Sequence, residues 1–299
     1  MADLDASQAK PRRRSYWGCL GMSLLWAVML VVVAVGVGYL SLLLAPPFGY
    51  ETTARVLILG LDEADRLGGD QRRADTILLC AARLDGAGTL LLSVPRDAWV
   101  RIPNHSRQHK INAAYALGKE ALVKQVLAKP STLNAELPYH LIIDSSTVRA
   151  VIDALGGIRV SVPFAMNYDD NWGNLHIHLN PGLQLLTGEQ AVGYLRWRKN
   201  SRGRSEDDFS RAERQRAVLI AIGTRMRSWQ GITRTPAVYH AFRQHSQSNL
   251  TDRQLFVLGW ASREIRSEAV PATPRRLHGT SYVFCNWAYG RALWEEAVR

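Results

Sequence analysis

The chain has 299 residues, a formal net charge of +11 and only three cysteines. That length is ample for one large hydrophobic core or two smaller ones. No two cysteines have zinc-site spacing, and the positive charge directs attention to anionic partners: nucleic acid, anionic lipid or anionic polymer.

Residues 1–14 read as a short polar tail containing Lys10, Arg12, Arg13 and Arg14. Residues 15–44 contain no Asp, Glu, Lys or Arg. A helix crosses the hydrocarbon core with about 20 apolar residues, whereas a signal peptide has an apolar run of about 7–15. The segment therefore reads as a transmembrane helix, with Tyr16, Trp17 and Tyr39 near its ends and Pro46 and Pro47 after it. The basic cluster before it places the N-terminus in the cytoplasm and residues 45–299 outside. Outside the cell there is no nucleic acid to regulate, and a 14-residue tail is too short for a DNA-binding domain. The expected location is the cell membrane, single-pass, with an extracytoplasmic domain.

Residues 45–54 read as a linker. Buried strands are expected over 55–60 and 76–82, and a third over 89–94 follows the Asp85-Gly86 turn. Helix is expected over 111–127, strand over 139–143, helix over 145–155 with Gly156-Gly157 at its end, and strand over 158–162. Thr187 with Gln190 and Ser210 with Glu213 fit capping boxes that open helices at 188 and 211. Residues 227–299 read as a mostly helical C-terminal part, with a last strand over 282–284. Strands alternating with helices predict a layered α/β domain over 55–299. Cys80 and Cys285 read as buried thiols, with a disulfide as the alternative. His176 and His178 alternate as on one face of a strand, without a third metal ligand nearby in sequence.

Three charged clusters lie where strands or helices meet loops. Asp62 follows the first strand, and Arg72, Arg73 and Asp75 precede the second. Arg96 and Asp97 follow the third strand. Arg196, Arg198, Asp208, Arg211 and Gln215 form the last group. In open α/β sheets, ligands bind at such ends. Arginine pairs bidentately with phosphate, and aspartate holds magnesium while substrate phosphates complete the coordination. The combination suits a pyrophosphate with a divalent cation. No Gly-x-x-x-x-Gly-Lys loop is present, which excludes a P-loop protein. Arg211, Gln215, Val218 and Ile222 recur on one helical face, which aims Arg211 and Gln215 inward at a helix N-terminus. Asp97 reads as a structural turn contact, and Arg72 as part of a solvated basic surface.

These residues resemble the motifs of the LytR-CpsA-Psr family of cell-wall phosphotransferases. The matching stretches are Ile58-Leu-Gly-Leu-Asp62, Arg73-Ala-Asp-Thr76, Leu92-Ser-Val-Pro-Arg-Asp97 and Lys110-Ile-Asn-Ala-Ala-Tyr115. They continue with Val151-Ile-Asp-Ala-Leu-Gly-Gly-Ile158, residues 181–191, Tyr194-Leu-Arg-Trp-Arg198 and Arg211-Ala-Glu-Arg-Gln215. They occur in family order within a motif core over 55–226. The resemblance implies a three-layer αβα fold: a mixed central β-sheet flanked by helices, with an apolar pocket for a polyprenyl tail. It implies transfer of a glycopolymer with its linking phosphate from polyprenyl pyrophosphate to peptidoglycan. By resemblance, Asp62 and Asp75 are metal-associated acids for Mg2+ or another divalent cation. Arg73, Arg96, Arg196, Arg198 and Arg211 are pyrophosphate-binding, and Asp208 and Gln215 complete the site. The expected catalytic group is Arg96, Asp75, Asp208, Arg211 and Gln215. The partners implied are a polyprenyl-pyrophosphate-linked glycan, peptidoglycan and membrane lipid. Two further readings share the basic cleft: a non-catalytic wall-polymer receptor and a pyrophosphatase.

Overall fold

The computed structural model describes residues 29, 47–49, 51–61, 72–105, 108–170, 175–197, 208–261, 264–277 and 279–299. Residues 52–299 make one compact unit and residues 1–51 another. The expected transmembrane segment, 15–44, lies outside the described residues except for Met29. Among the described residues no helix is long and apolar enough to cross a membrane.

Six strands form the central sheet: β1 (Thr53–Leu61), β2 (Ala74–Arg83), β3 (Thr89–Val94), β6 (Tyr139–Ile143), β11 (Gln247–Ser248) and β12 (Ile265–Ala269). Their spatial order is β11-β6-β1-β2-β3-β12, with the short strands β4 (Trp99–Arg101) and β5 (Gln108–Lys110) pairing apart from it. β1 pairs parallel with β6, and β3 parallel with β12, whereas β2 runs antiparallel to both β1 and β3. The sheet is therefore mixed, and the carboxyl ends of β1, β3, β6 and β12 share one edge. That edge also receives the start of β2, so Arg72 to Asp75 and Arg96 converge there by topology.

One face of the sheet is core. Leu57, Leu59, Ile77, Leu79 and Leu92 alternate along their strands and are buried. They pack with helix α1 (Asn112–Leu127) through Val123, Val126 and Leu127, and with helix α7 (Trp287–Val298) through Leu293 and Trp294. On the opposite face Ile58, Leu78, Leu91 and Leu141 are only half-buried. Ile58 lies beside both Leu78 and Leu141, making an apolar row across three strands.

A second, separate core is built from helix α2 (Ser145–Ala154), strand β7 (Ile158–Val162), the hairpin β8 (Met166–Asp170) and β9 (Leu175–Leu179), strand β10 (Gly182–Leu186), and helices α3 (Gly188–Arg196) and α4 (Asp208–Arg227). Trp197 is its largest fully buried side chain. The predicted capping box at Thr187 is present: Gln190 N–H donates to Thr187 Oγ1 at 3.3 Å, and Thr187 N–H to Gln190 Oε1 at 3.0 Å. α4 starts at Asp208 rather than Arg211, so Ser210 lies inside its first turn instead of capping it.

The C-terminal part departs from the helical expectation. It contains helix α5 (Trp229–His245), β11, helix α6 (Asp252–Ala261), β12, the hairpin β13 (Ala272–Leu277) and β14 (Thr280–Cys285), and α7. The strand expected over 282–284 lies within β14, whereas β11, β12 and β13 lack the apolar alternation that marks a strand in sequence. β13 reads Ala-Thr-Pro-Arg-Arg-Leu, and what holds it is backbone pairing with β14 around Gly279, at φ +79°. Cys80 and Cys285 are free thiols, and burial pushes both up to about 12, far from thiolate reactivity.

Candidate active site

The edge of the sheet is distorted where the chemistry sits. Gly60 pairs with Thr76 and Leu61 with Ala74, which leaves Asp75 as an extra residue in β2. Such a bulge re-aims a side chain. Ala74 and Ile77 both belong to the buried core, whereas Asp75 and Thr76 between them are half-buried. Gly60 makes the bulge sterically feasible, since a Cβ there would lie 2.9 Å from Thr76 Cβ. Gly60→Ala is expected to push β1 from the bulge and to cost about 1–3 kcal/mol, the usual range for overpacking. Thermal melting checks this, and an unchanged midpoint would contradict the steric role.

Asp75 meets Arg96, with Arg96 Nη1 donating to Asp75 Oδ2 at 2.7 Å. The turn that carries Arg96 is held by four contacts from two segments, residues 110–112 and Val283. Its own carbonyl accepts from Asn112 N–H at 3.1 Å, and the Asp97 carbonyl accepts from Val283 N–H in β14 at 3.0 Å. Ile111 N–H donates to the Ala98 carbonyl at 2.9 Å, and Lys110 pairs with the Asp97 carboxylate at 2.9 Å. Asp97 thus has the structural turn contact expected of it. The Lys110-Ile-Asn stretch, silent in chemistry, braces the arginine turn.

Arg72 differs from the expectation. It is half-buried, not solvated, and donates to Asp144 Oδ2 at 3.4 Å. Asp144 follows β6 at the same sheet edge and is the N-cap of α2. It accepts from Ser146 N–H at 3.0 Å and Thr147 N–H at 3.1 Å, while its own N–H donates to Thr147 Oγ1. Sequence reasoning missed this acid, although Asp144-Ser-Ser-Thr147 is itself a legible capping signal. Burial would push its carboxyl up, but the hydrogen bonds from Ser146 and Thr147 outweigh burial and hold it below the usual carboxylate range. A depressed folded pKa gives stabilisation that is present above the ordinary value of about 3.9 and lost as pH falls through the folded value. Asp144→Ala is expected to cost about 0.5–2 kcal/mol at neutral pH. It should also flatten the acid limb below about pH 4, as followed by melting against pH.

The other expected residues divide clearly. Arg73 is exposed at the entrance to β2, and Arg196 ends α3 half-buried. Asp62 and Arg198 lie outside the described residues, as do the side chains of Asp208, Arg211 and Gln215; the α4 backbone places those three in its first two turns. A charged residue on that helix that the structure does describe as inward is Arg214. It is 4 % exposed, and its Nη2 donates to the Trp197 carbonyl at 2.7 Å. Its guanidinium lies 5.6 Å from the Trp197 ring centre and 6.0 Å from that of Tyr194. Arg214 therefore ties the start of α4 to the end of α3, next to Arg196.

Two features lie elsewhere. His176 and His178 do share a strand face, and both imidazoles contact Asp169 Oδ1, at 2.8 and 3.0 Å. Among the described residues no group of three acidic, His or Cys side chains could hold a metal ion. A cleft lined by Arg83, Thr89, Glu264 and Arg266 sits at the opposite end of β2. At about 3.4 Å per residue that is roughly 27 Å from Asp75, and the cleft takes no part in the site.

The LytR_cpsA_psr family matches residues 48–297. The chain is 31% identical over 233 residues to the polyisoprenyl-teichoic acid–peptidoglycan teichoic acid transferase TagU of Bacillus subtilis, covering 76% of this chain and 71% of TagU. It is 29% identical over 223 residues to the regulatory protein MsrR of Staphylococcus aureus, covering 72% of this chain and 64% of MsrR. The chain thus spans about two thirds of the length of these relatives. Crystalline TagV of B. subtilis superposes with a TM-score of 0.65 at 23% identity, over 83% of this chain and 98% of TagV. The fold, the ordered motifs and the match over most of the chain agree: this protein belongs to the LytR_cpsA_psr family.

Proposed function

We propose that this protein is a membrane-anchored phosphotransferase that moves a glycopolymer, with its linking phosphate, from a polyprenyl-pyrophosphate carrier to peptidoglycan. The observation that carries the reading is the Asp75–Arg96 pair, set on a bulge at the shared carboxyl edge of the parallel strands. TagU, a relative at 31% identity, is named for transfer of teichoic acid from a polyisoprenyl carrier to peptidoglycan, which supports the same chemistry here. The half-buried apolar row Leu141, Ile58 and Leu78 crosses three strands on the open face of the sheet and suits an isoprenoid chain. Residues 15–44 anchor the chain, with the N-terminus cytoplasmic and the folded unit outside.

In this reading Arg73 and Arg96 bind the pyrophosphate with Arg196, Arg198 and Arg211, and Asp208 and Gln215 complete the pocket. A sugar hydroxyl attacks the phosphorus nearer the glycan. The new oxygen–phosphorus bond forms as the bridging bond breaks, and polyprenyl phosphate leaves with the electron pair. Asp75 receives the hydroxyl proton. Preorganised positive charge is the main source of rate. Magnesium or another divalent cation fits the donor set. Arg96 engages one oxygen of Asp75, the other remains available on the same carboxylate, and Asp62 supplies a second acid. When bound, the cation withdraws charge from the phosphoryl oxygens.

The test uses the purified full chain in detergent with a short-chain polyprenyl-pyrophosphate glycan, peptidoglycan fragments and magnesium, with and without chelator. Joining of glycan to peptidoglycan that stops with chelator supports the reading. Release of free glycan would make the protein a pyrophosphatase, and binding without turnover would make it a receptor.

A further inference from the structure

We propose that the outer face of two adjoining hairpins, β4–β5 and β13–β14, seats the sugar strand of the peptidoglycan acceptor. The inference rests on the transfer reading and locates one of its substrates. The face begins beside the arginine turn. Trp99 lies three residues beyond Arg96, no more than about 11 Å away even along a fully extended chain.

Strand pairing fixes what this face presents. Trp99 stands opposite Lys110, and Arg101 opposite Gln108. Val100 between them is buried in the core that also holds Leu57 and Leu59, so Trp99 and Arg101 point the other way. In the second hairpin Tyr282 stands opposite Arg275, and Phe284 opposite Thr273. The hairpins meet at Ala98 and Val283. There the Trp99 ring lies 4.7 Å from Phe284 and 6.4 Å from Tyr282, centre to centre. Cations border the rings: the Arg275 guanidinium is 5.1 Å from the Phe284 centre, and Lys110 Nζ is 5.9 Å from that of Tyr282. All three aromatics are half-buried, and Arg101 and Arg275 are exposed. None of the residues that alternate onto this face is acidic, and Asp97 at its border is paired with Lys110 at 2.9 Å.

Chemistry selects the occupant. A pyranose ring has a C–H face whose slightly positive hydrogens suit the negative face of an aromatic ring. Carboxylates attached to the sugars suit arginine. Three rings bordered by arginines therefore fit a sugar strand that bears carboxylates, as peptidoglycan does on its stem peptides. Direction separates acceptor from donor. In phosphoryl transfer the attacking and leaving oxygens stand roughly in line. In the transfer reading the leaving group carries the lipid, seated on the open face of the sheet by Leu141, Ile58 and Leu78. The attacking hydroxyl then comes from the opposite side. β5 runs into α1 and β14 into α7, and both helices cover that opposite face.

Two variants of the full chain in detergent test this. Trp99→Leu keeps apolar bulk against Phe284 but loses the indole, and Arg101→Gln with Arg275→Gln changes only exposed side chains. Binding of labelled, uncross-linked glycan strands is read by fluorescence anisotropy with no donor present. Transfer is measured to the same strands and to a single disaccharide–peptide. Both variants are expected to weaken strand binding, and to raise KM for the strand, by about tenfold. The kcat, the KM for the lipid-linked donor and transfer to the disaccharide should not change. Wild-type strand binding and KM in the arginine variant would overturn the proposal, whatever the folding of the tryptophan variant. A rise in the donor's KM instead would overturn it too, because the face would then hold the donor glycan. If the wild-type chain bound strands through these residues yet transferred nothing, the transfer reading would fail and the subsite would stand.

Discussion

Arg96→Ala is expected to lower glycan transfer by about 10²–10³-fold, the usual cost of removing one preorganised donor to a developing charge. The fold should survive. Arg96 is partly exposed, and its turn is held by the backbone hydrogen bonds of Arg96, Asp97 and Ala98, which do not involve the side chain. The substitution also strips Asp75 of its partner, which costs stability of about 1–3 kcal/mol if no water replaces the donor. Arg96→Lys separates the two effects. It keeps the charge but loses the planar fork, so it should restore stability more than activity. Transfer is measured with the lipid-linked donor and stability by thermal melting. Wild-type transfer by the alanine variant would refute the site.

Arg214→Ala is expected to have the largest effect on stability. The variant loses a buried cation that lies near the Trp197 and Tyr194 rings, leaves the Trp197 carbonyl without its 2.7 Å donor, and opens a cavity in the second core. Such losses together amount to about 3 kcal/mol. For a unit of this size that is a drop of roughly 6–12 °C in melting midpoint. Activity should fall too, because the ends of α3 and α4, which carry Arg196 and Arg211, would no longer be tied together. Arg214→Lys should rescue little, since an ammonium lacks the planar fork that donates to the Trp197 carbonyl while facing two rings. A melting midpoint within a degree or two of wild type would show that Arg214 does not tie the helices.

The apolar strands and the capped helices were legible because their signals are local. The boundaries 89–94, 139–143, 158–162 and 188–196 match the sequence reading: the strands are closed by Pro95, Asp144 and Pro163, and the helix is opened by its capping box at Thr187. The positions of Asp75 and Arg96 at one sheet edge were legible as strand ends. The bulge that turns Asp75 was not, because it depends on which residue of β1 opposes it. Arg72 looked like part of a solvated surface because its partner, Asp144, is remote in sequence. Arg214 is hidden for a related reason: Arg211 and Gln215 share its helix, and only tertiary packing shows that the arginine between them is the one beside Trp197. The polar strands of the C-terminal part carried no periodicity at all. β12 reads Ile-Arg-Ser-Glu-Ala and is held by the edge of β3.

That late strand has a consequence for how the protein comes into being. β3, which ends at the arginine turn, completes its pairing only with residues 265–269, and the turn itself is braced by Val283. Domains form from their N-terminal side as the chain is made, and pairings between distant segments are slow to close. The Arg96 turn therefore reaches its final setting only after nearly the whole chain has been delivered. A product cut short before residue 265 would retain every candidate catalytic residue named here and yet lack the brace that orients them.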